Sequence, residues 1–296
     1  MSNLHPNSVP EDNPTRRQFL RRTATAAAAI GCTATGVGRA APGPQPASPE
    51  RSRRTALKLG AASYSFRKFD LDRTIALTKQ LGLEYLCLKS FHLPLDAKPQ
   101  QIAVAVEKVR RAGLVLYGGG VISMHQEAEI NQAFDYAKAA GMRVIVAAPS
   151  VAMLPAVERK VKQYDIAVAI HNHGPGDKIF PTPQSVYEKL TDFDKRIGLC
   201  IDIGHTVRIG ADLLASTEKY FDRLLDIHMK DVTEASPKGH EIQVGRGIIN
   251  IPGFLRILVK NEYSGVVSFE YEGEPDNPLP GMSESVAYTR RVLAEI

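Results

Sequence analysis

The chain has no tryptophan and only three cysteines in 296 residues. Three cysteines cannot build a disulfide framework, so the fold must rest on its own core. Cys87 and Cys200 each sit inside an apolar, strand-like run and are expected to be buried free thiols. The apolar run from Ala24 to Ile30 is far shorter than the roughly 20 residues a bilayer span needs, so no integral membrane segment is expected. Excess charge is also scarce. The formal net charge is +5, but residues 1–40 hold five of the 37 basic and two of the 32 acidic residues, leaving 32 against 30. That near balance carries no electrostatic footprint for nucleic acid or an anionic membrane. Finally, no Gly-rich fingerprint follows the first strand, as an open dinucleotide-binding sheet would require.

What is present begins with a leader. Thr15-Arg16-Arg17-Gln18-Phe19-Leu20-Arg21 and the short apolar run after it have the pattern of a twin-arginine export signal over residues 1–40, with a small-residue cleavage site at Gly38-Arg39-Ala40. The expected location is therefore exported and periplasmic. Cys32 offers a lipid anchor as the alternative, although Ala29 stands where such sites usually carry Leu. Residues 41–55 are Pro-rich and polar, which suits a flexible spacer.

From Leu57 onward, short apolar runs alternate with stretches of helical spacing. Strands are expected at 57–63, 84–89, 114–118, 143–148, 165–171, 197–203, 224–229 and 265–270. Helices are expected near 70–81, 98–112, 126–140, 151–163, 183–191, 209–221, 252–262 and 282–295. Gly82, Gly113 and Gly141 suit left-handed helix caps. The glycine run in "YGGGVIS" (117–123) is expected to form a tight turn with close backbone approach. Eight strand–helix units with strands apolar on both faces predict a single (β/α)8 TIM barrel over residues 56–296.

In such a barrel the chemistry gathers at the C-terminal strand ends. The fifth strand ends in His171, followed by Asn172 and His173. The sixth ends in Asp202, with His205 three residues on. The seventh ends in His228, followed by Lys230 and Asp231, and the eighth in Glu270, with Glu272 beyond. Adjacent strands lie about 4.8 Å apart, so four neighbouring side chains can reach one ion. A buried carboxylate is costly unless paired or bound to a cation. His171, Asp202, His228 and Glu270 are thus the candidate metal ligands. Two nitrogen and two oxygen donors suit Mn, Fe, Co or Zn better than Mg or Ca.

"IHNHG", "LCIDIGHT", "HMKD", "VGRGIIN" and "GVVSFEYEG" together resemble the sugar phosphate isomerase/epimerase superfamily with the xylose-isomerase-like TIM barrel, over residues 57–296. The resemblance implies a divalent metal, often Mn, held by Glu, Asp, His and Glu from strands five to eight. Asp202, His228 and Glu270 match three of those positions, while His171 stands where many members carry the first Glu. In the ketose 3-epimerases of that family the two ligand glutamates also move the substrate proton, so His171 puts a two-glutamate epimerase in doubt.

The expected function is metal-dependent abstraction of a proton α to the carbonyl of a non-phosphorylated sugar or keto-sugar, giving isomerisation or epimerisation. The alternatives are a lyase or hydratase that opens 3-keto-glycosides by β-elimination, and a non-catalytic sugar-binding barrel. Candidates for the base are Glu270, His173, His205 and Lys89. Candidate substrate contacts are Arg246, which the resemblance folds over the substrate oxygens, with Lys230, Tyr64 and His92. A structural ion pair between Lys230 and Glu272 competes with that role. The expected partner is a small-molecule sugar or glycoside, not nucleic acid; the oligomeric state, a homo-oligomer included, stays open.

Overall fold

The apolar runs become the staves of a closed barrel. The structure, a computed structural model, describes residues 57–296; the expected twin-arginine leader, Cys32 and the expected spacer at 41–55 lie outside the described residues. The staves are β1 (Lys58–Ala62), β2 (Tyr85–Leu88), β3 (Val115–Met124), β4 (Val144–Pro149), β5 (Ala167–His171), β6 (Ile197–Asp202), β7 (Leu224–Met229) and β10 (Val266–Phe269). They pair in sequence order around the circle, and β10 closes on β1. Every pairing in the barrel is parallel. A second small sheet, β8 (Asp231–Val232) with β9 (Glu241–Ile242), rises from the rim as an antiparallel hairpin.

Side chains alternate across each stave, so the barrel has two cores. Outward residues such as Leu86, Ile145, Ile170, Ile201, Ile227 and Phe269 pack beneath the helices. Inward residues form a separate, narrower cluster of Cys87, Tyr117, Val144, Val146, Ala169, Cys200 and Val266. Both cysteines are free and buried, as expected. Each fully buried Leu, Ile or Phe side chain contributes roughly 1.5–3 kcal/mol.

The helices are α1 (Leu71–Gln80), α2 (Pro99–Arg111), α3 (Glu127–Ala139), α4 (Leu154–Tyr164), α5 (Pro183–Tyr187), α6 (Ile203–Arg208), α7 (Leu213–Lys219), α8 (Ile251–Lys260) and α9 (Leu279–Glu295). Gly82, Gly113 and Gly141 take φ of +66°, +77° and +67°, so each stops its helix in the left-handed region as expected. None of the described helices is long and apolar enough to cross a membrane.

Three expectations need correction. The glycine run at 117–123 is not a turn but the middle of β3, whose register against β4 shifts between Gly119 and Ile122. The close approach is real: a Cβ on Gly120 would lie 2.0 Å from the Val146 carbonyl oxygen, at a φ of +144°. The helix expected at 183–191 is the single short turn of α5. The helix expected at 209–221 shortens to α7, capped by Asp212, and an unexpected short helix, α6, precedes it because Asp202 caps a new helix immediately after β6.

At the opposite end of the barrel, Arg223 clamps the strand starts. Its buried guanidinium donates to the carbonyls of Phe193 (2.9 Å), Asp194 (2.9 Å) and Ile197 (3.0 Å). Arg223→Ala strands these acceptors, and is expected to cost about 3 kcal/mol of unfolding free energy in a denaturant titration, given roughly 1–3 kcal/mol per buried unsatisfied group.

Candidate active site

The rim of the barrel is polar because the strand ends change character while their inward parity continues. His171 ends β5, Asp202 ends β6, His228 lies one residue from the end of β7, and Glu270 follows β10 directly. The register climbs around the barrel. His171 pairs level with Cys200, Asp202 with His228, and His228 with Ser268. Asp202 therefore stands two residues above the His171 level, and Glu270 two above His228. This stagger, which barrel closure requires, lets the four side chains converge from different heights.

Local chemistry fixes each ligand. Asp202 is also the N-cap of α6: its Oδ1 accepts the His205 N–H at 2.7 Å, while Oδ2 is buried with no hydrogen-bond partner. Asn172 ties β5 to β6. Its Oδ1 accepts the Asp202 N–H at 3.1 Å, and its Nδ2 donates to Thr206 Oγ1 at 3.2 Å. The amide beside the two imidazoles of "IHNHG" is thus a brace between adjacent strands.

The four candidate ligand atoms lie within 4.8 Å of one another, and all four residues are buried. His171 Nε2 is 3.0 Å from His228 Nδ1 and 3.4 Å from Asp202 Oδ2, and His228 Nδ1 is 3.0 Å from Glu270 Oε2. Donors at about 2.0–2.2 Å from a tetrahedral ion would be roughly 3.3–3.6 Å apart. Spacing, donor types and the orphaned Asp202 oxygen therefore fit a divalent cation. Burial holds the His171 imidazole well below its usual range, in the neutral form a ligand needs. Burial pushes Glu270 up, but His228 and Lys230 outweigh it and keep the carboxyl ionised. The outward nitrogens, His171 Nδ1 and His228 Nε2, are buried without a partner, so no second carboxylate orients either ring.

Cations of the chain itself surround this cluster. Lys230 Nζ lies 3.1 Å from Glu270 Oε2, 3.4 Å from Asp202 Oδ2 and 3.8 Å from Glu241 Oε2, and also pairs with Glu272. The expected Lys230–Glu272 pair therefore forms, as part of a larger network. Lys89 Nζ is 3.8 Å from Glu270 Oε1 and 5.1 Å from the centre of the Tyr64 ring. His173 and His205 stand above the ligands: the His171 ring lies 4.5 Å from the first and 5.8 Å from the second. The structure thus gathers His171, Asp202, His228, Glu270, Lys89, Lys230, His173, His205 and Tyr64 at one rim.

Two expected substrate contacts are placed elsewhere. Arg246 is exposed and pairs with Glu284 of α9, because the segment after β9 turns outward instead of folding over the cluster. His92 has both ring nitrogens engaged, with Ser63 Oγ at 2.9 Å and with Phe69 O and Thr74 Oγ1 at 3.0 Å. It braces the loop after β2 and offers no free nitrogen to a ligand.

Other residues near the cluster escaped the sequence reading. Cys200 lies directly beneath, within 4.8 Å of the His171 and His228 ligand atoms. Below it Asp226 accepts from the Tyr117 hydroxyl at 3.2 Å, and burial lifts its carboxyl to about 7. Strand parity with Asp202 and His228 was the signal for both Cys200 and Asp226. Glu241 arrives on β9, where burial pushes its carboxyl up to about 8 and Lys230 only partly offsets this. Nothing in its sequence neighbourhood announces that placement.

The double duty of Asp202 separates two effects. Asp202→Asn keeps a good N-cap but loses a ligand charge; divalent-cation affinity, measured calorimetrically, is expected to fall by at least the ~10–100-fold that loss of a supporting partner costs. Asp202→Ala should lose the cation as well and also cost about 1 kcal/mol more of stability than the Asn variant, through the missing cap.

Residues 62–292 match the family described as xylose isomerase-like TIM barrel. The chain is 28% identical over 152 residues to inosose dehydratase of Mesomycoplasma hyopneumoniae strain 7448, covering 45% of this chain and 50% of that protein. It thus spans about half the length of the curated relatives it matches. Among solved structures, an uncharacterized protein from Parabacteroides distasonis ATCC 8503 superposes with a TM-score of 0.64 at 25% identity, covering 79% of this chain and 98% of the other. The 3-keto-D-glucoside 4-epimerase of E. coli gives a TM-score of 0.66 at 14% identity, covering 80% and 100%, a likeness of fold alone. With the closed barrel and its ordered strand-end residues, the match over most of its length establishes that this chain belongs to the xylose isomerase-like TIM barrel family.

Proposed function

We propose that the protein removes the proton α to the ketone of a non-phosphorylated keto-sugar with the help of a divalent cation, Mn first and Fe, Co or Zn as alternatives, and completes the reaction by β-elimination. One observation carries this reading: the cluster presents a single glutamate, Glu270, whose Oε2 faces His228 while Oε1 faces Lys89 at 3.8 Å, and its other acid, Asp202, is committed to capping α6. When bound, the cation would polarise the carbonyl as a Lewis acid. His171, Asp202, His228 and Glu270 would hold it.

The remaining work falls to side chains. Glu270 or Lys89 takes the proton from the carbon next to the ketone, and the C–H electron pair moves into an enolate. The Lys89 ammonium, when it is not the base, lies near enough to balance negative charge at the enolate oxygen. As the carbonyl re-forms, the pair expels the oxygen substituent on the β carbon, leaving a double bond between the α and β carbons. The departing oxygen takes a proton from an imidazolium at the rim, His205 or, against the burial that disfavours its charged form, His173. For a 3-keto-glycoside, the α carbon is C2 and the broken bond is C1–O.

Epimerisation or isomerisation shares the first step. Epimerisation through two ligand glutamates needs a second glutamate, and His171 stands in that place. Relatives named as dehydratases support elimination over proton return. A neutral substrate is favoured over a phosphate because Lys230, the most buried cation of the rim, already faces four carboxylates. Export, if residues 1–40 act as the twin-arginine signal their sequence resembles, would fit the same substrate class.

Product analysis by NMR in D2O, with Mn-loaded protein and a panel of ketoses and 3-keto-glucosides, tests the reading. A released aglycone with an unsaturated sugar is the expected result. Deuterium at one carbon of an intact skeleton would replace elimination by isomerisation or epimerisation; neither product, with metal bound, would point to a sugar-binding barrel. Lys89→Met is expected to lower kcat by about 10²–10⁴-fold, the usual scale for a lost acid–base group.

A further inference from the structure

Beside the cation cluster lies a polar recess of about 340 Å³, lined by His205 and Arg208 of α6, Lys230, His240 and Glu241 of the hairpin, and Glu272. Its volume is at the small end of ligand sites, which run from roughly 300 to 1,000 Å³. Lys230 forms the wall shared with the cluster. Its ammonium touches Asp202 and Glu270 on one side and Glu241 and Glu272 on the other. The recess therefore adjoins the reaction centre, and His205, whose ring stands 5.8 Å from that of His171, lines its edge.

Two side-chain nitrogens in this lining have no partner among the described residues. Arg208 Nε and His205 Nδ1 are buried and make no hydrogen bond, although the Arg208 guanidinium is pinned by donation from its Nη2 to Pro237 O at 3.0 Å. Buried polar atoms left unpaired in a native protein call for an explanation, and a ligand supplies one. Acceptors stand in the same lining. Glu241 is held in place because its Oε1 takes the Glu272 N–H at 2.7 Å, and its Oε2 remains 3.8 Å from Lys230. Donors and acceptors thus share one small space.

We propose that this recess is a second sugar subsite, which takes the departing hydroxylated ring of a disaccharide-sized glycoside while the keto ring lies at the cation cluster. Vicinal hydroxyls both donate and accept, so one ring can satisfy Arg208 and His205 together with Glu241 and Glu272. An anionic group would meet the Glu272 carboxylate, and an apolar one would leave the polar lining unpaired. The inference rests on the elimination reading, since it names that reaction's leaving group. Arg208 and Glu241 act here as specificity residues.

The test compares kcat/KM for a 3-keto disaccharide and for its methyl 3-keto-glucoside, using metal-loaded full-length protein. The disaccharide is expected to be preferred by about tenfold or more, and Arg208→Ala to lower its kcat/KM about tenfold more than that of the methyl glycoside. Glu241→Gln, which keeps the side chain's shape, should also narrow the preference. No preference in the parent protein, or equal losses on both substrates in both variants, overturns the subsite. If neither substrate is turned over, the elimination reading fails, and direct binding decides the recess by itself. Saturation-transfer NMR with the unoxidised disaccharide should then label both rings in the parent and lose the second ring in Arg208→Ala; no labelled second ring in the parent overturns it.

Discussion

Two carboxylates and two imidazoles meet at one buried point inside the rim, and the surrounding polar structure serves their charge balance. Asp202 is fully buried and Glu270 nearly so. Such groups cannot remain ionised in a low-dielectric interior without counter-charge. The protein supplies Lys230, itself buried, between four acidic side chains, and sets Lys89 beside the free oxygen of Glu270. The neutral His171 adds a donor without adding negative charge. A divalent cation at the centre would complete that balance, at the Asp202 oxygen that Lys230 approaches only to 3.4 Å and that accepts no hydrogen bond among the described residues.

Barrel closure makes this meeting geometrically available. A flat sheet would spread four neighbouring strand ends along a line, at about 4.8 Å per strand. Curvature brings them round a common axis, and the stagger between strands sets their heights. Beneath them the barrel narrows onto Cys87, Cys200 and Tyr117, with Asp226 held to Tyr117. That floor blocks passage through the barrel, so the chemistry is confined to one face.

The rim segment after β7 is organised by another buried carboxylate with a different task. Asp231 accepts four backbone N–H groups: Val232 at 2.9 Å and Ile249 at 3.1 Å on Oδ1, Gly245 at 2.9 Å and Gly247 at 3.1 Å on Oδ2. It gathers the chain between β9 and α8 and so holds the base of the hairpin that carries His240 and Glu241. The same gathering turns Arg246 outward onto Glu284. One clamp thus gives the rim Glu241 and denies it Arg246.

Much of this was legible in the linear chain, for local reasons. Alternating apolar runs and capped helices specify eight staves, because strand and helix periods are properties of neighbouring residues. Strand-end parity singles out His171, Asp202, His228 and Glu270, since every second residue must face inward. Glycines at 117–123 misled, because only the approach of Val146 shows that they continue a strand. The chain alone therefore determined the barrel and the inward direction of its four ligand candidates. Their convergence, the multiple partners of Lys230, the arrival of Arg208 and Glu241 and the departure of Arg246 were decided only by tertiary structure, because they depend on inter-strand stagger and on a loop folded by contacts far apart in sequence.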